Sequence, residues 1–145
     1  MVTDNTTYKF HPDNTIPTAG WVWVFGSNQA GRHGKGAAKI AHVNFGARYG
    51  VGSGRTGDAY AIPTKDKHLN VLSLDAIFVA VDAFLLHAKS HPKTDFFVTR
   101  IGCVLAGYSD EQIGPMFATA TPNCSLPEGW RHFVDNVRLE QRKAA

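Results

Sequence analysis

Nine of the fourteen glycines in this 145-residue chain fall between Gly26 and Gly57, and no other feature restricts its fold as strongly. Glycine loses more backbone freedom on folding than any other residue, so such a cluster fits a segment that turns tightly or approaches something closely. The flanking residues narrow the choice. Trp21-Val22-Trp23-Val24-Phe25 is a β-rich apolar run ending at Gly26, which predicts a buried strand. The Gly-rich stretch Ser27 to Gly36 follows, and Ala37 to His42 then suits a helix whose small residues let it lie close to a sheet. Gly46 is placed to cap that helix, and Gly50 to Gly57 reads as a second, flexible loop.

The same alternation continues downstream. Ala59-Tyr60-Ala61-Ile62 reads as a strand stopped by Pro63. Leu74, Ile77, Phe78, Val81, Phe84, Leu85 and Ala88 recur at helical spacing, with Ser73 as N-cap, Asp75 in the first turn and Pro92 beyond the end. Asp95 to Ile101 is another strand, ending at Gly102. Ser109-Asp110-Glu111-Gln112 resembles a capping box, although Pro115 requires the helix either to kink or to start at Gly114. Cys124-Ser125-Leu126 reads as a last strand and Trp130 to Arg142 as a terminal helix. Strands alternating with helices predict one three-layer α/β/α domain over residues 1–145. Apolar residues at 43% and charged residues at 19% supply a core for it without disulfides or metals.

Composition excludes several classes of function. The net charge of +3 is mild, and the densest basic cluster, Arg138, Arg142 and Lys143, reads as a solvated end. It has no interleaved aromatic residues, which argues against nucleic acid as a partner. Cys103 and Cys124 form no CxxC pair and have no His at ligand spacing, so two reduced thiols and no metal are expected. His87 and His91 stand at i, i+4 but close a helix, where imidazolium suits the dipole. Met1 to Asn5 is polar and lacks the apolar stretch of a signal peptide, and the longest purely apolar run, Ala76 to Val81, is six residues. A cytoplasmic protein with no membrane partner is expected.

Three segments could carry chemistry. Gly26 to Ala38 joins a strand to a helix, where glycine amides and the helix start together favour a phosphate. It is not a P-loop, because Gly34-Lys35 is followed by Gly36 rather than Ser or Thr, and it lacks the GxGxxG order of a dinucleotide fingerprint. Arg100 to Tyr108 is a second loop between strand and helix, with Tyr108 available to a base or ribose. Two such loops can line one sheet edge, because ligands sit at the carboxyl ends of strands. Pro63-Thr64-Lys65-Asp66-Lys67-His68 follows a strand, and Lys65 could pair with phosphate or attack an aldehydic sugar. No Ser-His-Asp or Cys-His arrangement can be assembled from the remaining residues.

The order Gly34-Lys35-Gly36-Ala37-Ala38, Phe45-Gly46, Tyr60-Ala61-Ile62-Pro63-Thr64-Lys65 and Arg100-Ile101-Gly102-Cys103-Val104-Leu105 resembles the macrodomain superfamily. The resemblance covers roughly Trp21 to Pro127 and leans toward the compact branch that includes terminal ADP-ribose protein glycohydrolase. It extends to small phage and prophage proteins with a GSNxAGxHGxGAA…YAIPTKD…IGCxLAGY pattern. It implies an ADP-ribose cleft over a mixed central sheet. Ser27, Asn28, His33, Gly34, Lys35, Gly36 and Ala37 would take the distal ribose side, and Gly102, Cys103, Leu105, Ala106, Gly107 and Tyr108 would wrap the diphosphate. In the glycohydrolase branch a lysine matching Lys65 attacks the anomeric carbon and an aspartate in the second loop assists. Here that aspartate is Ala106, with Asp110 four residues further on, and Val104 replaces a usual glycine. The expected function is therefore binding of ADP-ribose or a related, possibly cyclic, NAD-derived nucleotide. For a phage protein in a host cytoplasm, that binding would capture a defence signal. Hydrolysis through Lys65 and a non-binding interaction role are the alternatives, and no cofactor is implied.

Overall fold

The computed structural model describes residues 8–144. The polar segment Met1 to Asn5 lies outside them. The described residues form six strands: β1 (Lys9–His11), β2 (Trp21–Asn28), β3 (Gly54–Thr56), β4 (Ala59–Lys65), β5 (Asp95–Val98) and β6 (Cys124–Pro127). They form one mixed sheet in the order β1-β6-β5-β2-β4-β3, in which only the β3–β4 pair is antiparallel. The α-helices among the described residues are α1 (Gly36–Asn44), α2 (Leu74–Ser90), α3 (Asp110–Ile113) and α4 (Arg131–Ala144). None of the described helices is long and apolar enough to cross a membrane.

The two-residue period of the strands divides the core between the sheet's faces. Val22, Val24, Tyr60, Ile62, Phe96 and Val98 point to one face, where they meet Ile77, Val81 and Phe84 of α2 together with Phe117, Trp130 and Val134. Trp23, Phe25, Ala59, Ala61 and Phe97 point to the other, where Ala38 and Ala41 of α1 cover them. The second face is packed against the nine-residue α1, and an open cleft lies beside that helix, over Trp23 and Phe97.

Several local expectations hold in detail. Ser73 Oγ accepts from Ala76 N–H at 3.2 Å and starts α2. Gly46 is left-handed at φ +75° just past α1, and Ala47 N–H reaches back to Ala41 O. Ser109 and Gln112 form a reciprocal capping box. Pro115 resolves both of its alternatives at once: α3 stops after four residues, and a 3-10 turn restarts at Gly114–Phe117 with the proline in its first turn, where no N–H is missed.

Other expectations are corrected. β4 continues through Pro63 to Lys65, because the register slips there: Ser27 pairs with Pro63 and Asn28 with Lys65, leaving Thr64 as the extra residue of a bulge that tolerates proline. β2 likewise runs on to Asn28. β5 ends at Val98 rather than Ile101: Thr99 N–H makes the last ladder bond, to Val24 O, and Ile101 N–H then turns back onto Thr99 O. Gly50 to Gly57 is not all loop. Gly54–Thr56 forms β3, and Gly57-Asp58 makes the two-residue turn into β4, with Gly57 left-handed as such turns require. Arg138 is not a solvated end; it is 7% exposed, with Nε and Nη2 on the carbonyls of Ala118 and Ala120 and its guanidinium 3.6 Å from the Tyr8 ring centroid.

Candidate functional site

The carboxyl ends of β2, β4 and β5 open into a cleft of about 840 Å³ beside the start of α1, within the size range of small-molecule sites. Gly34, Lys35, Gly36 and Ala37 form one wall, and Gly102, Val104, Leu105 and Ala106 form another. The backbone N–H groups of these residues donate to no described residue. For Gly36 and Ala37 this is the usual state of a helix's first turn, which carries partial positive charge. Two rows of unused donors on walls of one cleft suit an anion with several oxygens.

The surrounding charge is mainly of the same sign, with Asp13, 3.8 Å from Arg100, as the acidic residue in the lining. Arg32, Lys35 and Lys65 line the cleft, and none lies within 4.0 Å of a described carboxylate. Arg100 also lines it but is held by Asp110, with Nε to Oδ1 at 3.1 Å and Nη2 to Oδ2 at 2.9 Å. The Asp110 hydrogen bonds push the Arg100 pKa up. Burial works against ionisation of Asp110, but its bonds from Arg100 and Trp130 Nε1 outweigh that and hold its pKa down. Asp110 is thus a fixed counter-ion beneath the second loop. It is not a free acid for Lys65.

Of the residues singled out in the sequence, Ser27, Asn28, Gly34, Lys35, Gly36, Ala37, Lys65, Gly102, Leu105 and Ala106 line the cleft together. Asn28 does so with its amide group committed: Nδ2 donates to Arg32 O at 2.8 Å and Oδ1 accepts from Arg32 N–H at 3.0 Å. His33, Cys103, Gly107 and Tyr108 are not among the lining residues. His33 is buried behind its loop, and Tyr108 turns its hydroxyl onto Leu72 O at 2.6 Å, ahead of α2. Burial pushes the thiols of Cys103 and Cys124 up to about 12, which keeps both protonated and unreactive near neutral pH. His87 and His91 stack at 4.2 Å, and among the described residues no three His, Cys, Asp or Glu side chains converge as a metal site.

The structure adds residues that no motif announced. His11 to Ile16, the segment leading from β1 toward β2, forms a further wall, Trp23, Phe97 and Thr64 contribute from the strands, and Thr99 contributes from just beyond β5. His11 stacks on Phe97 at 3.7 Å, Trp23 stacks on Phe97 at 5.5 Å, and Trp23 Nε1 donates to Ala37 O. This aromatic layer joins the sheet to the first turn of α1. The period of two in β2 and β5 carries the signal for Trp23 and Phe97, but nothing near His11 marks it in the sequence.

His11 has a measurable consequence. Burial lowers its pKa from 6.5 to about 4, against the opposing pull of the Val98 carbonyl and the charges of Asp13 and Glu128. The unfolded chain therefore binds more protons than the folded one between those two values. Stability is complete above pH 6.5 and falls as pH drops toward 4, by about 2 kcal/mol once partial solvent screening is allowed for. Burial lowers the His87 pKa too, which adds to the same trend. Urea midpoints should fall between pH 7 and pH 4.5, and His11→Phe, which keeps an aromatic ring against Phe97, should flatten that slope. An unchanged slope would show that His11 titrates alike in both states.

No family model matches the chain, and no curated protein and no solved structure matches it either.

Proposed function

We propose that the cleft binds ADP-ribose or a closely related NAD-derived nucleotide, on a macrodomain-like three-layer fold with α1 as one outer layer and α2, α3 and α4 as the other. The observation that carries this reading is the pair of unused backbone donor rows at the strand ends, at the start of α1 and among cations without carboxylate partners. The helix start and the amides favour the diphosphate, and a cleft of about 840 Å³ leaves space for the sugars. Lys65 serves as a phosphate or ribose contact. The phage-like pattern in the sequence extends the proposal to capture of a nucleotide used in host defence.

Hydrolysis is the less favoured reading for a specific reason. The lysine lacks a free acid: Ala106 stands where one is expected, Asp110 is bound by Arg100 and Trp130, and Asp66 Oδ1 accepts from the amides of His68 and Asn70. A purely structural role is less favoured because the cleft is open rather than filled by side chains.

A thermal-shift series is the direct test. ADP-ribose or a cyclic relative at a hundred times its dissociation constant should add about 2.7 kcal/mol, roughly 5–10 °C for a chain of this size. Adenosine, with no phosphate, should add much less. Equal shifts for the two would remove the phosphate-binding loops from the explanation.

A further inference from the structure

The glycine-rich turn after β2 is supported from behind. Gly50 N–H donates to Gly31 O at 3.0 Å, and His33 Nε2 lies 3.0 Å from Arg48 O. A Cβ on Gly31 would stand 2.4 Å from Gly50 C, and one on Gly52 would stand 2.1 Å from Asn28 O. Two stretches of backbone are therefore in direct contact with no side chain between them. None of the residues from Gly46 to Gly57 lines the cleft. The second glycine cluster thus packs against the first and does not face the ligand space.

His33 sits at this contact. It is 1% exposed and meets the Phe25 ring edge-on at 5.4 Å. A carbonyl can only accept, so Nε2 carries the proton toward Arg48 O, and Nδ1 is left buried with no partner among the described residues. An apolar side chain would avoid that unsatisfied nitrogen, so packing alone does not account for a histidine here. What an apolar side chain could not supply is the tie to Arg48 O, one residue before the amides of Gly34 to Ala37.

We propose that His33 is a positioning residue. Through Arg48 O it sets the curvature of the Gly34–Ala37 turn so that the amides converge on a ligand phosphate, without itself touching the ligand. The inference rests on the nucleotide-binding reading above. Support held behind a binding loop acts on affinity by keeping the contacting atoms in place.

The test compares wild type, His33→Leu and His33→Gln by calorimetric titration with ADP-ribose and with inorganic phosphate, alongside the ligand-free amide resonances of Gly34 and Gly36. The leucine variant should move those resonances and weaken both ligands by about tenfold. The glutamine variant, whose amide can again donate to Arg48 O, should recover most of the affinity. If the leucine variant does not fold, His33→Asn, too short to reach Arg48 O, takes its place. Wild-type affinity in the leucine or asparagine variant overturns the inference alone. So does weakened affinity with unmoved Gly34 and Gly36 resonances, which would put His33 on the ligand. A wild-type chain that binds neither ADP-ribose nor phosphate overturns the nucleotide reading and the inference with it.

Discussion

Gly34→Val is expected to leave the chain folded and to abolish its response to ADP-ribose. A Cβ at Gly34 would meet nothing within 4 Å, and the backbone there is not left-handed, so the variant carries neither a clash nor strain. Its stability without ligand should stay within about 0.5 kcal/mol of wild type, as at ordinary surface positions. Gly34 lines the cleft, however, so the isopropyl group would stand in the space a phosphate needs to reach the turn's amides. The whole ligand shift, about 2.7 kcal/mol at a hundred times the wild-type dissociation constant, should vanish. Retained affinity in the folded variant would take this turn out of the site. Gly107→Val is a different experiment. Gly107 is left-handed at φ +84° and does not line the cleft, so a valine there strains the second loop without blocking it.

Lys65→Ala separates binding from catalysis. Lys65 ends β4 and lines the cleft, where its ammonium can meet a phosphate or ribose oxygen. Losing that contact should weaken ADP-ribose by about tenfold, equivalent to ~1.4 kcal/mol. Attack on a sugar carbon needs an acid to assist the leaving group. The carboxylate that does line the cleft, Asp13, follows β1 at the edge of the sheet, with three strands between β1 and β4, and lies 3.8 Å from Arg100. Wild-type chain should therefore release little or no ADP-ribose from a glutamate-modified protein. Multiple-turnover release that disappears in Lys65→Ala would establish the enzyme and end the binding-only reading.

Much of the architecture could be read locally because its causes are local. The apolar runs of β2, β4 and β5 announce strands buried on both faces, the spacing from Leu74 to Ala88 announces α2, and Ser73 and Ser109 announce helix starts through side chains that bond residues three positions on. The short strands β1 and β3 escaped. Three residues are too few to show a period, and β1 exists only because Lys9 to His11 pair with Ser125 to Pro127, more than a hundred residues away. The Gly57-Asp58 turn was the one usable sign of β3, and the glycines around it concealed it.

Which strand-end segments border the cleft was legible from the sequence alone. A strand ending in glycine and followed by a helix places that glycine loop at the carboxyl edge of the sheet, wherever the rest of the chain goes. Which partner each polar side chain in those segments finds was not legible there. Asn28, His33 and Tyr108 have the chemistry of ligand contacts, yet the first closes its own turn and the other two bond the carbonyls of Arg48 and Leu72, remote in sequence. Arg138 resembled a solvated charge until the carbonyls of Ala118 and Ala120 came within reach. The reason is physical: a buried polar group must find a partner, and which one it finds is decided by elements that meet only when the sheet and its helices pack.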